Sequence, residues 1–341
     1  MNQSTNQPPA PIPASRHPSR RPNRRDVLAT TAALLGAAAL SPSLALGSRR
    51  HPDAARKRAL RLAHLTDTHI QPELKADQGV GACLRHCQSQ ADKPDLILTG
   101  GDCVMDSFEA DQARTSLQWD LWKKVMKSEL STPVRSALGN HDIWGWNKGK
   151  SKTTGAERGW GKNLAVENLG IPNRYYSFDQ GGWHFAVLDS VQVDPDNANG
   201  YLGFLDDEQF AWLEADLAKT ASPTLLLSHI PILSVCSFTE NTGALKARKQ
   251  EISGGLMHID SHKLRQLFLK NPHVKLCLSG HIHLVDRVEY DGVTYLCNGA
   301  VSGSWWKGAH HRCQPGYAML DLFDDGTFTN TYETYGWKQS Q

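Results

Sequence analysis

The 341-residue sequence has no Cys-x-x-Cys pair, no internal repeat and no interior linker, and its body carries no basic excess. Without a Cys-x-x-Cys pair, dithiol redox chemistry is excluded. Cys83-x-x-x-Cys87 has no second pair at zinc-finger spacing, so a structural cysteine–metal site is not expected. The seven cysteines are odd in number and scattered; Cys277 and Cys297 fall in strand-like apolar runs and read as buried thiols. Overall, 37 Lys and Arg against 35 Asp and Glu give a formal charge of +2. Eleven of those basic residues and only two acids lie up to Arg61, which leaves 26 basic against 33 acidic residues beyond it, a balance of −7. A body of that sign offers no general nucleic-acid surface and disfavours polyanions at long range. With 40% hydrophobic and 21% charged residues, collagen-like, disulfide-knot and wholly disordered chains are excluded as well.

What is present falls into two parts. Residues 1–25 contain five Arg, no acid, and much Pro, Ser, Asn and Gln, a composition that cannot build a core. Arg24-Arg25-Asp26-Val27-Leu28 then leads into an uncharged Ala/Leu/Thr stretch from Val27 to Ser48, with Ser43-Leu44-Ala45 offering small residues for cleavage. This order resembles a twin-arginine export signal. The stretch is weakly apolar, so a signal is favoured over an anchor and no stable membrane span is expected after processing. The expected organisation is therefore a basic leader and signal over 1–48, an Arg-rich linker over 49–59 and a catalytic domain over 60–341. The expected location is periplasmic or extracellular, with the twin-arginine export machinery as the partner of the leader.

From Ala59 onward the pattern is α/β. Short apolar runs predict buried strands at Leu60–Leu65, Asp95–Thr99, Val134–Leu138, His184–Leu188, Thr224–Leu227 and Val274–Leu278. Amphipathic segments predict helices over Asp111–Glu129, Asp206–Ala218 and Ser261–Leu269. After residue 284 come two hairpins, one turning at Asp291-Gly292 and one at Asp324-Asp325-Gly326. A parallel-type first part with an antiparallel end implies mixed sheets covered by helices. Two long polar, Gly-rich loops, Ile143–Gly170 and Ile232–Gly255, are of the kind that carries function.

Five short segments sit at or just past the C-terminal ends of these strands: Asp67-Thr68-His69, Gly101-Asp102, Gly139-Asn140-His141-Asp142, Ser228-His229 and Gly280-His281-Ile282-His283. Ligands of α/β sheets bind at that edge. Extended backbone would put Asp67 with His69, and His281 with His283, on one face. The donors are imidazole, carboxylate and amide, without thiolate, which suits Mn, Fe or Zn. Seven candidate ligands exceed one tetrahedral zinc and suit two sites sharing a carboxylate. His64, His184, His258, His262 and His273 lie outside these segments and read as core or surface filler.

With all five blocks in this order, the sequence from about Leu60 to Trp337 resembles the calcineurin-like metallophosphoesterase superfamily, and within it the cyclic-nucleotide phosphodiesterase-like bacterial branch. The resemblance implies a four-layer α/β/β/α sandwich, two mixed sheets flanked by helices, with two divalent metal ions at the strand ends. It implies that Asp67, His69, Asp102 and His283 hold the first metal. Asp102, Asn140, His229 and His281 would hold the second, with Asp102 bridging. Protein Ser/Thr phosphatases of the superfamily carry G-D-x-V-D-R-G and G-N-H-E, whereas this sequence has Gly101-Asp102-Cys103-Val104-Met105-Asp106 and Gly139-Asn140-His141-Asp142. Purple acid phosphatases place a ligand Tyr where this sequence has Met105.

The chemistry so implied is phosphodiester hydrolysis by in-line attack of a metal-bridging hydroxide. His141, beside Asn140, is the expected general acid to the leaving group, since imidazole titrates near working pH. Asp106, in preference to Asp142, is expected to orient it. The expected substrate is a small phosphoester. A phosphomonoesterase on the same site is the alternative within this class, and a non-catalytic binding protein on the same fold is the alternative outside it. Trp144, Trp146, Trp160, Tyr201, Trp305 and Trp306 are aromatic residues available either to line the substrate or to pack the loops. Lys148, Lys150, Lys152, Lys246, Arg248 and Lys249 read as solvated loop charge.

Overall fold

The computed structural model describes residues 56–197, 199–239 and 251–338. The leader over 1–48, most of the linker, and Lys246, Arg248 and Lys249 lie outside the described residues. Thirteen strands are formed among them: β1 (Arg58–Leu65), β2 (Leu96–Gly100), β3 (Val134–Ala137), β4 (Tyr176–Gln180), β5 (Trp183–Val187), β6 (Val191–Val193), β7 (Tyr201–Gly203), β8 (Thr224–Leu227), β9 (Val274–Ser279), β10 (Val285–Tyr290), β11 (Val293–Asn298), β12 (Gly316–Phe323) and β13 (Phe328–Thr334). The helices are α1 (Ala76–Gln88), α2 (Gln112–Glu129), α3 (Lys148–Ser151), α4 (Asn163–Leu169), α5 (Asp207–Leu217), α6 (Cys236–Thr239) and α7 (Ser261–Lys270).

The strands make a five-stranded sheet in the order β13-β12-β1-β2-β3 and a six-stranded sheet in the order β10-β11-β9-β8-β5-β4. In the first, β1, β2 and β3 run parallel, β12 runs antiparallel to β1, and β13 antiparallel to β12. In the second, β5, β8, β9 and β11 run parallel, with β4 and β10 antiparallel at the edges. A small β6-β7 ribbon stands apart.

The layers follow from period-two side-chain alternation with both faces buried. Leu60 and Leu62, Leu225 and Leu227, and Leu276 and Leu278 face the slab between the sheets, along with the small Ala137 and Ala318. Alternate residues face outward. Ala63, Leu65 and Ile97 pack beneath α1 and α2, and Leu226, Val274 and Cys277 beneath α5 and α7. The result is the α/β/β/α sandwich. Asp111 caps α2 by accepting from Arg114 N at 3.0 Å, and Asp206 caps α5 by accepting from Gln209 N at 2.9 Å. Asp291 and Gly292 both have positive φ, 51° and 81°, as a tight β10-β11 hairpin turn requires.

All the expected long strands, helices and hairpins form; β4, β6 and β7 were not anticipated. β1 starts at Arg58, inside the expected linker. Arg58 pairs with Asp92 and Arg61 with Asp321, so this strand start is held by ion pairs that an apolar pattern does not show. The 143–170 loop is partly helical and pinned by a Trp144–Gly161 bridge. All seven cysteines are free thiols, with Cys277 and Cys297 buried as expected. No helix among the described residues is long and apolar enough to cross a membrane.

His184 fastens β5 to its neighbours. Its ring nitrogens lie 2.7 Å from Asp179 Oδ1 on β4 and 2.9 Å from Asp216 Oδ2 on α5. Hydrogen bonding to Asp216 is the largest influence and raises the pKa of His184 above its ordinary value. A group raised on folding adds stability that is complete below its unfolded pKa and is lost as pH rises through the folded one. Comparing denaturant midpoints of the wild-type chain and His184→Phe from about pH 6 to about pH 9, the wild-type advantage should shrink toward alkaline pH. A constant difference would show that the clamp carries no charge.

Candidate metal centre

Each expected ligand sits just beyond a strand of one of the two sheets. Asp67 and His69 follow β1, Asp102 follows β2 and Asn140 follows β3, all from the first sheet. His229 follows β8, and His281 and His283 follow β9, from the second. The two sheets thus supply opposite halves of one cluster.

The local geometry departs from the expected extended backbone. Asp67, His69, Asp102, His281 and His283 all have positive φ, between 41° and 70°. Residues i and i+2 do converge, but through left-handed turns after the strand ends rather than through pleating. Non-glycine residues adopt this conformation at a cost, and such outliers gather at functional sites. Glycine provides the close approaches: a Cβ at Gly139 would overlap the Asp102 carboxylate, and one at Gly280 would overlap Thr66 and Asp67.

Three sets of donor atoms each lie within 4.8 Å of one another: Asp67, His69 and His283; Asp102, His229 and His281; and His69, Asp102 and His141. Asn140 Oδ1 is 3.1 Å from His229 Nε2, which joins it to the second set. All seven expected ligands are therefore brought together, with His141 alongside them.

Main-chain carbonyls aim the rings. His229 Nδ1–H donates to Gly100 O at 2.8 Å, His281 Nε2–H to Gly255 O at 2.8 Å and His283 Nδ1–H to Gly303 O at 2.5 Å. Each bond fixes a tautomer and leaves the opposite nitrogen facing the cluster as an electron-pair donor. The Asp67 carboxylate accepts from Thr66 Oγ1 at 2.6 Å and from the His281 N–H at 3.0 Å. Asp102 Oδ1 accepts from the His141 N–H at 2.8 Å.

The carboxylates lie among these rings away from water. Burial alone would raise Asp67 and Asp102, but His283 and His229 hold the first, and His229 and His141 the second, below the ordinary carboxylate range. Burial lowers His69, and it lowers His281 to about 4, so both favour the neutral form. Against burial, Asp102 raises His229 to about 9 and Asp67 raises His283. The two carboxylates thus demand positive charge between them, and a proton or a divalent cation can meet that demand. His69 Nδ1 is buried without a hydrogen-bond partner, and His69 Nε2 faces His283 Nε2 at 3.1 Å. Two such nitrogens need a shared cation or proton between them. The donor set therefore fits divalent metals, and its oxygen and imidazole chemistry suits borderline to hard ions.

The expected orienter of His141 is corrected. His141 Nδ1 meets Met105 O at 2.5 Å, a main-chain carbonyl rather than the Asp106 or Asp142 carboxylate. Asp106 spends Oδ1 on the Glu109 N–H at 3.0 Å and is not hydrogen-bonded to His141. Asp142 is wholly buried and accepts from the Cys103, Val104 and Gly139 N–H groups, stitching the Asp102 loop to the Asn140 loop. Burial pushes Asp142 up to about 7, with the Asp102 charge adding to it and the backbone donors opposing it.

Residues 60–285 match the calcineurin-like phosphoesterase family. The chain belongs to that family. It is a metal-dependent phosphoric ester hydrolase. A 3′,5′-cyclic-nucleotide phosphodiesterase from Nostoc sp. is 26% identical over 292 residues, covering 81% of this chain and 93% of that protein. Purple acid phosphatase 23 of Arabidopsis thaliana is 28% identical over 199 residues, 55% of this chain and 37% of that protein. A solved dimetal phosphatase from Danio rerio shares the fold, with a TM-score of 0.54 over 82% of this chain and all of that one at 12% identity.

Most of the aromatic residues of this phosphoesterase that were open to either role serve packing. Trp144 is buried, Trp160 Nε1 donates to Gly145 O at 3.0 Å, and Trp146 packs edge-on against Phe108. Trp306 is buried and donates to His69 O at 2.9 Å, propping the first ligand segment. Trp305 lies tilted over His283, ring centroids 4.5 Å apart. His310, which no motif pointed to, sits 5.7 Å from both the His283 and Trp305 rings, at the wall of the centre. Two cavities meet at the centre. A smaller one of about 220 Å³ includes His69, Asp102, His281, His283 and Trp305, and a larger one of about 490 Å³ includes Met105, Asp106, Phe108 and Glu109.

Gly139→Ala tests the close approach. The new methyl must displace Asp102, so the variant should keep its far-UV circular dichroism and lose bound divalent metal by elemental analysis. Metal content equal to wild type would show that the Asp102 loop yields without consequence.

Proposed function

We propose that this phosphoesterase cleaves phosphodiesters, with Asp67, His69, Asp102 and His283 holding one divalent ion and Asp102, Asn140, His229 and His281 a second. When bound, such a pair supplies positive charge to phosphoryl oxygens and acidifies a coordinated water. The observation that carries the diester reading is the cavity of about 490 Å³ beside Asn140 and His141, whose lining among the described residues carries Asp106 and Glu109 and no Lys or Arg. A monoester dianion calls for cationic side chains around its extra charge, whereas a diester needs room for a second substituent. Met105, Phe108, Tyr201 and Leu256 provide apolar surface for that substituent. The similarity to a protein named as a cyclic-nucleotide phosphodiesterase supports the same reading.

The chain's own part in the reaction centres on His141. Its Nδ1–H is engaged by Met105 O, so the proton for the leaving oxygen is held at Nε2. Giving that proton up turns the doubly protonated ring into a neutral one that keeps its Nδ1–H bond, so its aim does not change. The His141 N–H to Asp102 contact and the Asp142 stitch keep this ring in register with the ligand loops. His141→Ala should retain its metal and lose about 10²–10⁴-fold in turnover of bis-p-nitrophenyl phosphate. The same assay on the mono ester decides between the two esterase readings: a higher kcat/KM for the mono ester would replace the diesterase assignment.

We further propose that the enzyme acts outside the cytoplasm, sent there by the twin-arginine-type leader of residues 1–48. The support is in the sequence: Arg24-Arg25, the uncharged stretch to Ser48 and the small residues of Ser43-Leu44-Ala45. Fractionation of expressing cells with N-terminal sequencing should find a periplasmic chain beginning shortly after Ala45. Double replacement of Arg24 and Arg25 by Lys should hold the protein inside. Secretion undisturbed by that replacement would discard this route.

A further inference from the structure

The reaction outlined above uses the ring of Tyr201 as lining but gives its hydroxyl no role. It opens β7, where it pairs with Val193 across the β6-β7 ribbon. Its ring packs edge-on between Phe108, 5.9 Å away between centroids, and the expected ligand His281, 6.1 Å away. A methyl added at Gly255 would touch the ring at 3.5 Å, so that segment flanks a third side. The ring is therefore fixed, yet among the described residues its hydroxyl has no hydrogen-bond partner. The residue is half-buried, and a phenol that lines a cavity without a protein partner is free to donate to a ligand that enters it. A phenol carries its proton at neutral pH, so the hydroxyl can act as a donor.

Its place between the cavities says what that ligand is. Among the described residues only Asn140, His141, Tyr201 and Leu256 line both the smaller cavity of about 220 Å³ and the larger one of about 490 Å³. A phosphodiester with its phosphorus beside the metal ligands and its substituent in the larger cavity must pass this junction. Asn140 and His141 already have roles there, and Leu256 is apolar. We propose that the Tyr201 hydroxyl donates a hydrogen bond to a phosphoryl oxygen of the bound ester at this junction, making Tyr201 a further catalytic residue. The assignment rests on the phosphoesterase reading of the site.

The test is Tyr201→Phe in the full chain loaded with manganese, since the ring and its packing are preserved. Metal content and thermal midpoint should match wild type. The kcat/KM for bis-p-nitrophenyl phosphate should fall about 10–100-fold, and the Kd for inorganic phosphate by calorimetry should rise by a similar factor. Unchanged kcat/KM and unchanged phosphate affinity overturn the proposal. So does loss of metal, which would make the hydroxyl a support of the metal centre rather than a substrate contact. Absence of phosphate binding by the loaded wild-type chain overturns it too. If the wild-type chain binds phosphate but cleaves no ester, the hydrolytic reading fails while calorimetry still decides the Tyr201 contact.

Discussion

Two carboxylates withdrawn from water set the terms for the rest of this molecule. Asp67 and Asp102 are buried within a ring of imidazoles, and an isolated buried carboxylate is among the most costly groups a protein can hold. The fold meets that cost with local hydrogen bonds and with neighbours that supply or attract positive charge. Asp67 takes the Thr66 hydroxyl and the His281 N–H, and Asp102 takes the His141 N–H. The carbonyls of Gly100, Gly255 and Gly303 hold the nearby rings with an electron pair turned inward. Apart from the Thr66 hydroxyl, these orienting groups are main chain, so the geometry depends on backbone path more than on side-chain identity.

That dependence explains what could be read from the sequence and what could not. Strands such as Leu225–Leu227 and Val274–Leu278 announce themselves because both faces are buried, and period-two alternation sorts their side chains into two slabs. The Asp-x-His and His-x-His blocks point to a cluster because imidazole, carboxylate and amide at strand ends have few other uses. The reason Asp67 and His69 converge was misread, since their left-handed backbone leaves no trace in residue type. The partner of His141 was misread for a related reason. Any residue can lend a carbonyl, so Met105 carries no signal, whereas Asp106 and Asp142 attract notice as carboxylates. Asp142 is needed all the same, as the acceptor for three buried N–H groups from two loops.

The aromatic residues show the same divide. Six were open to either lining substrate or packing loops, and chemistry alone could not separate them. Trp144 and Trp306 are sealed inside, Trp160 is tied to a carbonyl, and Trp305 lies against a ligand ring. Their roles depend on contacts made across long stretches of chain. Tyr201 sits on a three-residue strand too short to leave a hydrophobic period, and the Gly203 N–H to Gly254 O bond ties that strand to the segment before α7. β6 is equally short, and β4 is an edge strand none of whose residues is fully buried.

The division of the ligands between two sheets makes the slab of Leu, Ala and aromatic side chains between them a kind of caliper. Asp67, His69, Asp102 and Asn140 ride on one jaw, and His229, His281 and His283 on the other. The opening of the jaws is set by side-chain volume in that slab, with Ala137 and Ala318 among its thinnest spacers. In most enzymes a core residue bears on catalysis only through stability. Here the thickness of the filling bears on the separation of the donors directly, so two chains of equal stability but different slab volume would hold the two halves of the donor cluster at different spacings.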